Sequence, residues 1–125
     1  MKKCILIVDD SATLRASVNF VLTDAGYKVI QAKNGEDGLK VLKDTKVSDT
    51  KIDMIISDIN MPVMDGISFI KEVKKGEFRF IPILILTTES ENAKKMEGKA
   101  AGASGWLVKP FKPDQLLWVV KKFVR

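Results

Sequence analysis

No histidine and only one cysteine occur in the 125 residues of this sequence. The missing imidazole excludes every histidine-based nucleophilic triad and argues against a structural zinc site. The lone thiol, Cys4, cannot close an intrachain disulfide, and its place inside an apolar run suits packing in a reducing compartment. Aromatic residues make up 7% of the chain, and they form no base-stacking platform. No apolar stretch approaches the roughly 20 residues of a membrane span. Met1-Lys2-Lys3 and the apolar run after it have the outline of a signal peptide. That run is too short for one and ends in Asp9-Asp10, so the cytoplasm is the expected location. Internal repeats, low-complexity tracts and linkers are also missing. Residues 1–125 are expected to form one domain with no output domain.

The composition that remains, 46% hydrophobic and 30% charged, is that of a globular protein able to bury a core without disulfides or metal. The net charge is +5, but the lysines are spread along the chain and form no basic arm. They read as solvated helix faces. A basic balance permits nucleic-acid binding without arguing for it, and no helix-turn-helix accompanies it. No nucleic-acid partner is expected, and an acidic protein partner is the more informative alternative.

Apolar runs alternate with helical patterns. Cys4–Val8 is continuous, as in a strand buried on both faces. Leu14, Val18, Val21 and Leu22 follow at helical spacing, with Asp10 or Ser11 as the cap and Gly26 as the stop. Tyr27–Ala32 alternates more and reads as a strand nearer an edge. Asn34-Gly35 leads into a short helix with Leu39 and Leu42 inward, and Asp44–Lys51 reads as a polar loop. Ile52–Ser57 is a third strand. A loop at 60–66 then precedes a helix carrying Ile67, Ile70 and Val73 and closed by Gly76. Ile81–Leu86 is a fourth strand. Glu89–Ala101 is a weakly amphipathic helix with Ala93, Met96 and Ala100 on one face. Gly105–Val108 is a fifth strand, and Pro113 opens a last helix with Leu116, Leu117, Val120, Phe123 and Val124 buried. Five β/α units predict an α/β fold, a parallel sheet with helices on both faces.

Four of those strands end in polar residues suited to phosphate chemistry: Asp9-Asp10, Asp58, Thr87-Thr88 and Lys109-Pro110. Open α/β sheets bind ligands beyond the carboxyl ends of their strands, so these residues are expected in one cleft. Each has an ordinary explanation when read alone. An acidic pair caps a helix, an aspartate makes a turn, a threonine suits a strand, and a tryptophan at 106 fills a core. Read together, adjacent carboxylates offer oxygen ligands to Mg²⁺. Asp58 can attack phosphorus and form an acyl phosphate, and the Thr87 hydroxyl can donate to a phosphoryl oxygen. The Lys109 ammonium and the cation offset the clustered anions. Phosphorylation then changes the local charge by about one unit and adds acceptor oxygens, which is the physical basis of a switch. The proline after Lys109 lowers the cost of a cis bond that would aim the lysine at the cleft.

The motifs Val8-Asp9-Asp10, Asp58-Ile59-Asn60-Met61-Pro62-Val63-Met64-Asp65-Gly66, Leu86-Thr87-Thr88-Glu89 and Gly102 through Phe111 occur in order along essentially the whole chain. Jointly the chain resembles the receiver domain of two-component response regulators, and within that family the single-domain chemotaxis regulators of the CheY type. The resemblance implies a flavodoxin-like, doubly wound sheet of order 2-1-3-4-5, for which CheY is itself a standard example. It implies phosphoryl transfer to Asp58 from a CheA-like histidine kinase. Mg²⁺ would be held by Asp10, Asp58 and the main-chain carbonyl of Asn60, with Asp9 acting through water. Lys109 would pair with the phosphoryl group, Thr87 and Trp106 would act as the switch, and Asn60 and Glu89 would tune dephosphorylation.

The same resemblance implies a monomer that catalyses only its own phosphorylation and dephosphorylation and is not a conventional enzyme. Its changed surface, made by the fourth helix, fifth strand and fifth helix, would meet a target such as the flagellar motor switch. Two positions depart from the family pattern. Trp106 stands where Tyr, Phe or His is commoner, and Thr88 where a smaller residue is frequent. Two other readings remain at this point. A phosphorelay intermediate would pass its phosphoryl group to a histidine phosphotransfer protein. An aspartyl phosphatase would need a second acidic residue that Asp58-Ile59-Asn60 lacks.

Overall fold

The computed structural model describes residues 2–124. Five strands and five helices alternate as β1 (Cys4–Val8), α1 (Ala12–Asp24), β2 (Lys28–Ala32), α2 (Gly35–Val47), β3 (Met54–Ser57), α3 (Gly66–Lys75), β4 (Ile83–Thr87), α4 (Asn92–Ala101), β5 (Gly105–Val108) and α5 (Pro113–Phe123). The strands are parallel in the order β2-β1-β3-β4-β5. The α/β class, the strand order and the edge position of β2 agree with expectation.

The uninterrupted apolar strands follow from helices on both faces. Successive side chains of a strand point to opposite sides. Cys4, Leu6 and Val8 therefore join one core with Ile55, Ile83 and Ile85, beneath Leu42, Phe69, Ile70 and Val73 of α2 and α3. Ile5 and Ile7 join the other with Met54, Ile56, Leu84 and Leu86, beneath Val18 and Leu22 of α1 and Leu116 and Val120 of α5. Each fully buried side chain of this size contributes about 1.5–3 kcal/mol of transfer free energy, so the central strands are the most firmly held part of the sheet.

Helix starts are set by side-chain oxygens that take otherwise unpaired backbone donors. Ser11 accepts from the Leu14 N–H, Asn34 from Asp37 and Asp65 from Ser68. Ser11, and not Asp10, is thus the cap of α1, which leaves the Asp10 carboxylate free. Gly26 lies just beyond the end of α1 with a φ of +96°, a conformation glycine adopts without a Cβ penalty.

Several boundaries differ from the sequence reading. The polar segment 44–51 is not all loop, because α2 runs on through Val47. The Thr45 hydroxyl donates to the Leu42 carbonyl, and Lys46 pairs with Glu77 at 2.8 Å, so polar residues serve as helix surface here. β3 begins at Met54 because Asp53 turns back on Cys4: its N–H donates to the Cys4 carbonyl and its carboxylate accepts the Cys4 N–H. β2 begins at Lys28, since the Tyr27 N–H still closes the end of α1 on the Leu22 carbonyl. β4 begins at Ile83 and includes Thr87.

Helix α4 begins at Asn92, and its inward face is not the one expected. Ala93, Met96 and Ala100 are exposed, while Gly98 is buried with Lys94 and Ala101 half-buried beside it. The glycine explains the reversal. A Cβ at position 98 would lie 2.6 Å from Ile85 Cδ1 and 3.0 Å from the Trp106 ring. The helix thus approaches the sheet through the residue with no side chain, which a hydrophobicity pattern cannot register.

Candidate functional site

The pairing register brings the polar residues together. Val8 is opposite Ser57 across β1 and β3, so the next residues, Asp9 and Asp58, emerge side by side. Thr87 is opposite Val108 across β4 and β5, so Lys109 emerges next to the end of β4. Backbone bonds continue past the strands: Asp58 N–H to Val8 O at 3.0 Å, and Lys109 N–H to Thr87 O at 2.8 Å. The Lys109-Pro110 bond is cis.

The Lys109 ammonium donates to Asp9 Oδ2 at 3.1 Å and to Asp58 Oδ2 at 3.0 Å. Asp9 is buried, and its Oδ1 accepts the Ser11 N–H at 2.9 Å. Burial pushes the Asp9 carboxyl above its ordinary range, and the nearby Asp58 charge adds to this. The Ser11 N–H and Lys109 oppose it. Asp58 Oδ1 accepts the Ile59 N–H at 2.6 Å. Gly66 makes the turn around Asp58 possible, because a Cβ there would lie 2.0 Å from the Asp58 carbonyl oxygen.

Carboxylate oxygens of Asp9, Asp10 and Asp58 lie within 4.8 Å of one another, with Asp10 exposed. Three hard-oxygen groups with one ammonium among them leave a formal excess of two negative charges. That donor set and charge fit a divalent cation such as Mg²⁺.

The side chains of the remaining candidates sit around this cluster without hydrogen bonds to its side chains. Thr87 is fully buried, and its hydroxyl accepts the Glu89 N–H at 3.2 Å. Asn60 is exposed at the rim. The Glu89 carboxylate accepts the Glu91 N–H, so it serves its own loop. Trp106 is half-buried against the core beneath α2 and α3, and its indole N–H donates to the Glu89 carbonyl at 3.2 Å. Thr88 is exposed.

One neighbour was not read from the sequence. The Arg15 guanidinium donates to the main-chain carbonyl of Asp9 and to Gln31 Oε1. A signal existed: a cation in the N-terminal half of a helix opposes the macrodipole and asks for a local partner.

Residues 5–121 match the family model described as the response regulator receiver domain. The chain belongs to that family. It is 36% identical over 125 residues to the alkaline phosphatase synthesis transcriptional regulatory protein PhoP of Bacillus subtilis, covering all of this chain and half the length of that protein. It is 37% identical over 114 residues to chemotaxis protein CheY1 of Helicobacter pylori, covering 90% of this chain and 89% of that one. The solved structure of chemotaxis response regulator CheY4 of Vibrio cholerae superposes with a TM-score of 0.87 at 46% identity, covering 99% and 100% of the two chains. The receiver is of the CheY type, a signalling domain and not a conventional enzyme. Receivers of this kind take a phosphoryl group from a histidine kinase and act on a signalling target. Among the described residues, no helix is long and apolar enough to cross a membrane.

Proposed function

We propose that Asp58 is the phosphoacceptor of a Mg²⁺-dependent switch whose output is a change in partner binding. The observation that carries this reading is the Asp9–Lys109–Asp58 bridge at the edge of a three-carboxylate cluster. Asp10, Asp58 and the Asn60 carbonyl, with Asp9 acting through water, are the groups assigned to the cation. When bound, the cation supplies positive charge that draws phosphoryl oxygens to a site of carboxylates.

A carboxylate oxygen of Asp58 attacks phosphorus and forms the new O–P bond. The bond from phosphorus to the donor histidine nitrogen breaks, and its electron pair stays on the imidazole. Lys109 already contacts the attacking carboxylate and follows the charge onto the phosphoryl oxygens. Hydrolysis of the acyl phosphate returns Asp58 to its starting state, with Asn60 and Glu89 at the rim setting access for water. The chain thus catalyses its own phosphorylation and dephosphorylation.

The added oxygens draw the Thr87 hydroxyl from its place beside Glu89. Trp106 hangs on the carbonyl of that same residue, so the two move together. The surface altered is that of α4, β5 and α5. It carries exposed Met96 and Trp118 among Lys95, Lys99 and Lys122, a chemistry suited to an acidic segment with apolar anchors. In this reading the donor is a CheA-like histidine kinase and the target the flagellar motor switch, a choice supported by the similarity to chemotaxis proteins. They disfavour the phosphorelay-intermediate alternative.

Incubation with acetyl phosphate and MgCl₂ tests the assignment. Mass spectrometry should find one phosphoryl group on the protein and none on Asp58→Asn. Unchanged labelling of that variant rejects Asp58 as the acceptor.

A further inference from the structure

We infer that Arg15 is a positioning residue for the cation site, acting through the peptide plane between Asp9 and Asp10. This rests on the cation reading of the acidic cluster given above.

Asp9 is fixed at every polar atom. Its N–H donates to the Ala32 carbonyl at 3.1 Å, its Oδ1 takes the Ser11 N–H, and its Oδ2 takes Lys109. Its carbonyl oxygen takes Arg15 Nη1. That carbonyl belongs to the peptide linking Asp9 to Asp10, and a peptide unit is planar. Holding its oxygen therefore sets the direction in which the Asp10 backbone leaves β1, and with it the approach of the Asp10 carboxylate to Asp9 and Asp58. Asp10 is the exposed member of the cluster and has no buried packing to orient it.

Arg15 is itself held at both ends. Its backbone N–H donates to the Ser11 carbonyl within α1, and its Nε donates to Gln31 Oε1 at 3.2 Å. Gln31 lies on β2, opposite Ile7 of β1. The guanidinium therefore spans the helix, the edge strand and the loop that carries two of the three carboxylates. The forked donor geometry suits this double contact, which a lysine cannot reproduce.

Charge and position pull in opposite directions here, which makes the inference testable by sign. A cation beside three carboxylates competes with a metal ion. If charge alone mattered, removing Arg15 would tighten Mg²⁺ binding. If Arg15 orients the Asp9–Asp10 peptide, removing it weakens binding, by about tenfold, the lower end for groups that orient metal ligands.

The experiment is a titration of ¹⁵N-labelled protein with MgCl₂, read from the amide shifts of residues 9, 10, 59 and 60. Arg15→Gln and Arg15→Ala should both raise the apparent Kd, and the lost phosphorylation rate should return at saturating MgCl₂. Val120→Ala, a core truncation on α5, serves as a destabilised control and should leave the Kd unchanged. Unchanged or tighter binding in both Arg15 variants overturns the inference while leaving the cation reading intact. Absence of any Mg²⁺-dependent shift in the wild type overturns the cation reading itself and the inference with it.

Discussion

The Lys109 ammonium lies 3.0 Å from the carboxylate of Asp58, a residue 51 positions earlier in the chain. The same nitrogen holds buried Asp9. Lysine is therefore the counter-ion of both carboxylates, and in the proposed function it also meets the incoming phosphoryl group. Lys109→Met should leave two neighbouring, largely buried carboxylates without their cation. Unfolding by urea in the presence of a chelator should show a loss of about 3 kcal/mol, the low end for a broken buried pair. Millimolar MgCl₂ should restore part of that loss, because a ligand that binds only the folded state stabilises it. A variant as stable as the wild type in chelator refutes the counter-ion role.

Strain sits close to the site. Val63 has a φ of +69° and is 75% exposed, so no packing explains a β-branched residue in the left-handed region. The Met64 N–H reaches the Pro62 carbonyl at 2.7 Å across it, closing a tight three-residue turn. Val63→Gly should relieve about 1 kcal/mol, since glycine takes a positive φ with no Cβ to clash. Thermal unfolding should shift upward by about 3–5 °C. No shift, or a downward one, means the turn bears no such strain.

The strand sequences carried most of the architecture. Cys4–Val8 and the runs ending at Ser57 and Leu86 can be buried on both faces only in a sheet covered twice. That requirement also placed Asp9, Asp58 and Lys109 along one edge. What could not be read was whatever depends on shape and not on hydropathy. Gly98 turns α4 through the absence of a side chain, and Thr45 continues α2 by bonding its own backbone. Arg15 touches the site through a main-chain carbonyl, which no side-chain motif encodes. The contact from Trp106 to the Glu89 carbonyl escaped for the same reason.

Two groups away from the site give alkaline stability opposite signs. Burial pushes the Cys4 thiol up, with Asp53 adding to this and Lys28 opposing it. The folded chain thus holds that proton more tightly than the unfolded chain. Its contribution is whole below the ordinary thiol range and is lost as pH rises through the folded value. Burial lowers Lys74, whose ammonium donates to the Arg79 and Ile81 carbonyls. Its contribution is present above the ordinary lysine value and is lost as pH falls through the lowered one. Urea unfolding between pH 8 and pH 11 should therefore decline less steeply for Cys4→Val and more steeply for Lys74→Met than for the wild type. Parallel curves for all three proteins refute both assignments.

Thr87 and Trp106 meet at a single loop residue, Glu89, whose N–H donates to the Thr87 hydroxyl and whose carbonyl accepts the Trp106 indole N–H, and the proposed switch runs through that residue. Thr87→Ala should leave phosphorylation of Asp58 intact and remove its effect on partner binding, while Thr87→Ser should keep both. Equal partner affinity of phosphorylated wild type and phosphorylated Thr87→Ala excludes the hydroxyl from the coupling.

The packing of Trp106 against Gly98 offers an optical test of the same route. A Cβ at 98 would press on Ile85 Cδ1 at 2.6 Å and crowd the indole ring at 3.0 Å, and overpacking of this kind costs about 1–3 kcal/mol. The Ile85 methyl must give way inside a full core, whereas the ring borders the surface, so the γ-methyls of a valine should push the ring outward as well. In a Trp118→Phe background, which removes the exposed second tryptophan, Gly98→Val should shift the emission of Trp106 to longer wavelength. Breaking its bond to Glu89 should also weaken the response of that emission to phosphorylation. Unaltered emission in the Gly98 variant would mean that Ile85 alone gives way and that the ring is not held by α4.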